Sequence, residues 1–107
     1  MTFQVLDPLD PNEVKDYEWD FIDDTKGNAI TGFQLLLPAG LNAGDGVTQV
    51  ATPAGTITPP APVLSGFKIK AWIYASSGTL GWKDLTAHVT TANTAHDLTF
   101  SIEVRPL

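Results

Sequence analysis

Cysteine is absent from the 107 residues, which excludes disulfides, thiolate metal sites and a cysteine nucleophile. Stability must come from packing or from neighbouring subunits. Basic residues are scarce: six Lys and Arg stand against twelve Asp and Glu, a formal net charge of −6. Phosphate backbones and anionic lipid surfaces repel such a chain, so nucleic-acid and membrane-surface binding are not expected. No apolar run reaches the length of about 18 residues that a membrane-spanning helix needs. The N-terminus lacks the basic-then-apolar pattern of a secretory signal, so synthesis is expected to end in the cytoplasm. Internal repeats and low-complexity tracts are also missing, and no apolar pattern follows helical spacing.

What is present is enough for one small domain with a real core: 43% of the residues are hydrophobic, with abundant Thr, Gly and Pro. That composition predicts an all-β module rich in turns. The C-terminal run Leu98-Thr99-Phe100-Ser101-Ile102-Glu103-Val104-Arg105 alternates apolar and polar residues without a break. Successive strand side chains point to opposite faces, so Leu98, Phe100, Ile102 and Val104 share a dry face. Thr99, Ser101, Glu103 and Arg105 are then expected to face water. Leu85, Ala87 and Val89 alternate with Thr86, His88 and Thr90 in the same way, and Phe67, Ile69, Ala71 and Ile73 with Lys68, Lys70, Trp72 and Tyr74. These three runs, joined by short polar turns, predict an antiparallel meander whose dry face is covered by the first half of the chain.

In that first half, Tyr17, Trp19 and Phe21 alternate with Asp16, Glu18 and Asp20, a strand over residues 14–22 with an aromatic inner face and an acidic outer one. Residues 1–10 are expected to form an arm or an edge strand, ended by the Asp7-Pro8 and Asp10-Pro11 pairs, where proline interrupts a ladder. Residues 23–28 read as a turn. Residues 29–38 read as a third strand with Phe33, Leu35 and Leu37 on one face and Leu36 on the other. Residues 47–52 form a weak strand. Residues 52–62, with four prolines, fit an extended connection, a poor edge strand or a mobile loop. The expected architecture is a single-domain antiparallel β-sandwich of six to seven strands over residues 11–107, ending at Pro106 and Leu107 with no long fused partner.

Chemistry-bearing constellations are sparse. Asp16, Glu18 and Asp20, followed by Asp23 and Asp24, make an oxygen-rich cluster of a kind that can bind calcium. The glycine that turns the chain between successive ligands is missing, and charges on a solvated strand face also discourage edge pairing. His88 and His96 lack metal or triad neighbours. No serine sits in a nucleophile elbow, and Gly40, Gly44 and Gly46 precede no helix that could hold a phosphate. No catalysis and no cofactor are expected. The aromatics are more informative. Trp72 and Tyr74 share a face with Lys68 and Lys70, and Trp82 stands at the mouth of a turn. These five residues are candidates for a partner interface. The aromatics also fit a sugar-stacking platform, and a bulge that shifts the register would send Trp72 into the core instead.

Two stretches carry a resemblance. Asp10-Pro11-Asn12-Glu13-Val14-Lys15-Asp16-Tyr17-Glu18-Trp19-Asp20-Phe21 resembles the D-P-x-x-V-x-D-Y-x-x-D-[WF] pattern of phage fibre-tail adaptors, a family of small virion proteins. Trp72-Ile73-Tyr74-Ala75-Ser76-Ser77-Gly78-Thr79-Leu80-Gly81-Trp82, with the later Thr90-Thr91 pair, is similar to that family's W-x-x-x-G-G-T-x-G-x-x-Y segment. Ser77 replaces the first glycine of the usual pair, and Trp82 stands slightly early for the tyrosine. The resemblance implies an immunoglobulin-like, non-enzymatic virion part. It would be made in the bacterial host cytoplasm and be present in several copies, docking on tail, tail-fibre or portal-proximal subunits without a cofactor. Residues 1–10 and 52–62 are the candidate docking segments, since each can add backbone contacts to a neighbour. The readings set against it are a capsid decoration or cement protein and a carbohydrate-binding or adhesion module.

Overall fold

A computed structural model describes residues 2–5 and 7–107. Ten strands are present among them: β1 (Thr2–Val5), β2 (Val14–Asp20), β3 (Gly32–Leu36), β4 (Leu41–Ala43), β5 (Val50–Thr52), β6 (Gly55–Ile57), β7 (Val63–Ser65), β8 (Lys68–Ala75), β9 (Gly81–Thr90) and β10 (Ala95–Val104). One helical turn, α1 (Ile22–Thr25), follows β2. The number exceeds the six or seven strands expected because β4 to β7 span only three residues each, too few for alternation to register. Met1 and Leu6 of the N-terminal segment lie outside the described residues.

The strands form two layers. One sheet runs β1-β10-β9-β3, and the other β2-β8-β4 with β7 also against β8. The neighbours β3-β9-β10 and β2-β8-β7 match the C-F-G and B-E-D sheets of the immunoglobulin arrangement. The chain is an all-β, single-domain sandwich. All strand pairs between named strands are antiparallel except β1 with β10. Leu9 continues that parallel edge through an isolated bridge to Val104. Its amide donates to the Glu103 carbonyl and its carbonyl accepts from the Arg105 amide. Leu9 is fully buried, so the sandwich takes in chain that precedes residue 11.

Two expectations are corrected here. The run over Phe67 to Tyr74 does not pair with the two later runs. It becomes β8 and pairs with β2 in the opposite layer, while only β9 and β10 remain a hairpin. Alternation assigns a side chain to a face but does not select the neighbouring strand. Residues 76–80 cross the roughly 10 Å between layers instead of turning back on one sheet. Thr99 and Ser101 are buried and do not face water. Both lie on β10, an interior strand of its sheet. The Thr99 hydroxyl meets that of Thr86 at 2.9 Å, and the Ser101 hydroxyl donates to an Asp84 carboxylate oxygen at 3.0 Å.

The core is the pair of inner faces expected from period-two ordering. Tyr17, Trp19, Ile69, Ala71 and Ile73 from one layer meet Leu85, Ala87, Val89, Leu98, Phe100, Ile102 and Val104 from the other. Trp19 stacks on Phe100 with ring centroids 5.5 Å apart and planes 17° apart, which sets β2 over β10. Each large side chain buried this way contributes about 1.5–3 kcal/mol. The strand ends at Asp20, whose carboxylate accepts from the Ile22 amide and starts α1. Phe21 turns inward as the last aromatic of the inner face.

The β5–β6 hairpin forms a separate two-stranded sheet. Its base is tied down where Gly46 N–H donates to the Pro59 carbonyl and Gly44 N–H to that of Trp72. Gly44 is required at that point. A Cβ there would lie 2.5 Å from the Pro60 carbonyl oxygen.

Candidate functional site

The outer face of the β2–β8 sheet carries the basic residues and two of the aromatics read as an interface. Asp20 stands opposite Lys68, Glu18 opposite Lys70 and Asp16 opposite Trp72 in an unbroken ladder. The bulge that would move Trp72 into the core is not there. Trp72 and Tyr74 stay on the outer face, half-buried. The lysines pair diagonally across the strands, Lys70 to Asp16 at 3.4 Å and Lys68 to Glu18 at 3.7 Å. The Lys70 ammonium also sits 5.4 Å from the centre of the Trp72 ring. Each exposed pair of this kind contributes about 0.2–1 kcal/mol. The charges of this face largely satisfy one another.

Trp82 is elsewhere. It lies on β9 in the other sheet, opposite Glu103, and is 60% exposed. Its side chain shares the parity of Asp84, Thr86 and His88, which point away from the core. The sandwich therefore separates Trp82 from Trp72 and Tyr74, and no three-aromatic platform forms. Each of the two histidines is held locally. His88 Nδ1 bonds an Asp97 carboxylate oxygen across the β9–β10 pair, and His96 Nε2 bonds the Thr94 hydroxyl. Among the described residues, no group of three or more His, Cys, Asp or Glu is arranged to hold a metal ion.

The Asp10–Phe21 stretch builds structure. Asp10 accepts from the amides of Asn12 and Leu107, and Glu13 accepts from the Asp10 amide. The Leu107 and Asn12 hydrogen bonds hold the Asp10 carboxyl below its ordinary range. Tyr17 donates its hydroxyl to the Asp7 carbonyl. Burial, then the Glu13 and Asp7 carboxylates, raise its phenol so that it stays protonated. Two open clefts flank this turn. One, of about 550 Å³, is lined by residues including Glu13, Val14, Pro53, Ile57 and Leu107. The other, of about 480 Å³, runs past Asn12, Ala51, Ala75 and Leu80. The β5–β6 hairpin contributes to both, as does Asn12.

A surface not singled out from the sequence is the opposite flank. Residues 27–67 contain a single ionisable side chain, Asp45, whereas residues 7–26 hold eight carboxylates. The uncharged segment supplies β3, β4, β5, β6 and β7. Four residues join β3 to β4, so these edges of the two sheets lie on one side, away from β2 over β10. Phe33 and Leu36 of β3 and Val63 of β7 are exposed on these edge strands, whereas Ile57 of the β5–β6 hairpin lies in the cleft beside Glu13 and Val14. Counting charges along the chain would have revealed the contrast. No protein-family model and no curated protein sequence matches the chain.

Proposed function

We propose that this chain is a non-enzymatic structural part of a bacteriophage virion, a tail or tail-fibre adaptor that works by docking its surfaces on other virion proteins. The observation that carries the docking reading is the distribution of exposed apolar side chains. Phe33, Leu36 and Val63 lie on edge strands and Ile57 on the β5–β6 hairpin, where a neighbour can be gripped. The two motif stretches resembling fibre-tail adaptors supply the virion context, and the small cysteine-free sandwich suits a module that folds in a bacterial cytoplasm and then assembles. The edge of β3, which carries no charge, and the β5–β6 hairpin, which includes part of the 52–62 segment, are the surfaces best suited to contact. Lys68 and Lys70 serve chiefly to balance the acidic face of β2.

The test is direct localisation. Gold-labelled protein is incubated separately with isolated tails, tail fibres and capsids and examined by electron microscopy. Binding confined to tails or fibres is the expected result. Uniform labelling of capsids would replace the adaptor reading with decoration, and no binding to any particle would remove the virion reading.

A further inference from the structure

We propose that the free edge of β3 is a self-association site, through which two copies of this chain join edge to edge about a two-fold axis. This inference concerns the isolated protein and does not depend on the virion reading. β3 ends its sheet, and among the described strands it pairs with β9 alone. Its five residues, Gly32-Phe33-Gln34-Leu35-Leu36, carry no charge, no proline and no bulge. Natural edge strands usually carry such devices against unwanted pairing. Phe33 and Leu36 are 37% and 47% exposed.

Charge decides the occupant. Each copy carries a net −6, with eight carboxylates in residues 7–26, so most approaches between copies are repulsive. The flank containing β3 is the exception. β3 itself carries no charge, and the one carboxylate of residues 27–67, Asp45, is held within its own turn by hydrogen bonds from the Val47 and Thr48 amides and the Thr48 hydroxyl. A basic partner would be drawn to the β2 side, and an acidic partner would find no lysine or arginine here. An uncharged apolar strand fits, and the molecule presents one. Pairing through β3 also leaves the two acidic β2 flanks facing away from each other, at a separation well beyond the Debye length of about 8 Å.

Full antiparallel overlap of a five-residue strand with its own copy places Gln34 at the axis, opposite Gln34 of the second copy. Phe33 then lies opposite Leu35, and Gly32 opposite Leu36. The result is one continuous eight-stranded sheet. Such a contact is self-complementary, as two-fold interfaces are.

The geometry provides its own test. Gln34→Lys and Gln34→Glu each set like charges directly opposite one another at the axis, which opposes strand pairing. Gln34 is exposed at an edge, so folding, followed by circular dichroism, should be retained. By analytical ultracentrifugation at on the order of 100 μM, a concentration suited to a small interface, the unaltered chain is expected to sediment at twice the monomer mass. Each variant alone is expected to be monomeric, and an equimolar mixture to recover the dimer. A monomeric unaltered chain overturns the proposal. So does a dimer that survives both single substitutions, because the contact then lies on another surface. Loss in both variants without recovery on mixing overturns the register centred on Gln34.

Discussion

β2 and β3 are both edge strands, and they solve the edge problem in opposite ways. β2 alternates buried Tyr17 and Trp19 with exposed Asp16, Glu18 and Asp20. Its inner face is anchored by the Trp19–Phe100 stack, and its outer face is laced to β8 by two ion pairs. β3 has no fully buried residue and no charge. The first strand is specified twice over, by packing and by electrostatics. The second is held by its ladder to β9 and by the half-buried Leu35 packed against the core. A strand that discourages other chains and a strand that leaves its edge open thus occupy opposite flanks of one sandwich.

The largest effect should come from attacking the core that both layers share. Phe100→Asp places a charge under Trp19 and is expected to prevent folding, since an unpaired buried carboxylate costs far more than one side chain's packing contributes. Glu103→Lys, on the outer face of the same strand, removes only the exposed pair to Arg105 at 3.4 Å. It should shift stability by less than about 0.5 kcal/mol. Circular dichroism and urea unfolding of the two variants would test the strand faces, and equal tolerance would show that they are misassigned.

The edge strands themselves can be compared next. Trp19→Ala should cost about 3–5 kcal/mol in urea unfolding, whereas Phe33→Ala, at an exposed edge, should cost under about 1.5 kcal/mol. Comparable losses would show that β3 is anchored as firmly as β2. Trp19→Phe sharpens the point. The indole N–H of Trp19 is buried without a hydrogen-bond partner among the described residues. Removing that donor relieves a desolvation penalty and offsets part of the lost packing. This substitution should therefore cost well under half of the alanine change. On the outer face, Lys70→Glu sets a carboxylate opposite Glu18 and beside Asp16. The expected loss is about 1 kcal/mol, shrinking as salt is raised. A salt-independent loss would mean that contact with Trp72, not charge, is what Lys70 supplies.

Period two made β2, β8, β9 and β10 legible, together with the core residues they carry. Among the described residues, thirteen of the fifteen buried apolar side chains, all but Leu9 and Leu41, lie on the inner faces that alternation marks out. Faces were readable and neighbours were not. Nothing in Phe67 to Tyr74 distinguishes a strand beside β9 from one beside β2, because the five residues after Ala75 suit either path. Thr99 and Ser101 look like solvent-facing residues in isolation and are covered only because β10 lies inside its sheet. β4 to β7 are too short to show a period. The sites divide similarly. Lys68, Lys70, Trp72 and Tyr74 share the face their spacing implies, but Trp82 required knowledge of which layer β9 joins. The scarcity of charge in residues 27–67 was open to reading as composition, though not which of its strands would end a sheet.

The smallest effect concerns the lone carboxylate of that segment. Asp45 closes its own turn by accepting from the Thr48 hydroxyl and amide and from the Val47 amide. The Thr48 hydroxyl bond first, then the amide bonds, lower its carboxyl from 3.8 to about 2. Because the folded group titrates below the unfolded one, its contribution is fully present above about pH 4 and disappears as pH falls through about 2. An NMR titration of the Asp45 side-chain carbonyl carbon should show that low midpoint, with the Val47 and Thr48 amide shifts following it. In Thr48→Val the midpoint should move up towards the ordinary value, because the strongest of the stabilising hydrogen bonds is gone. An ordinary midpoint in the unaltered chain would mean that the Val47 and Thr48 hydrogen bonds do not hold the carboxylate, which is ionised at neutral pH in either case.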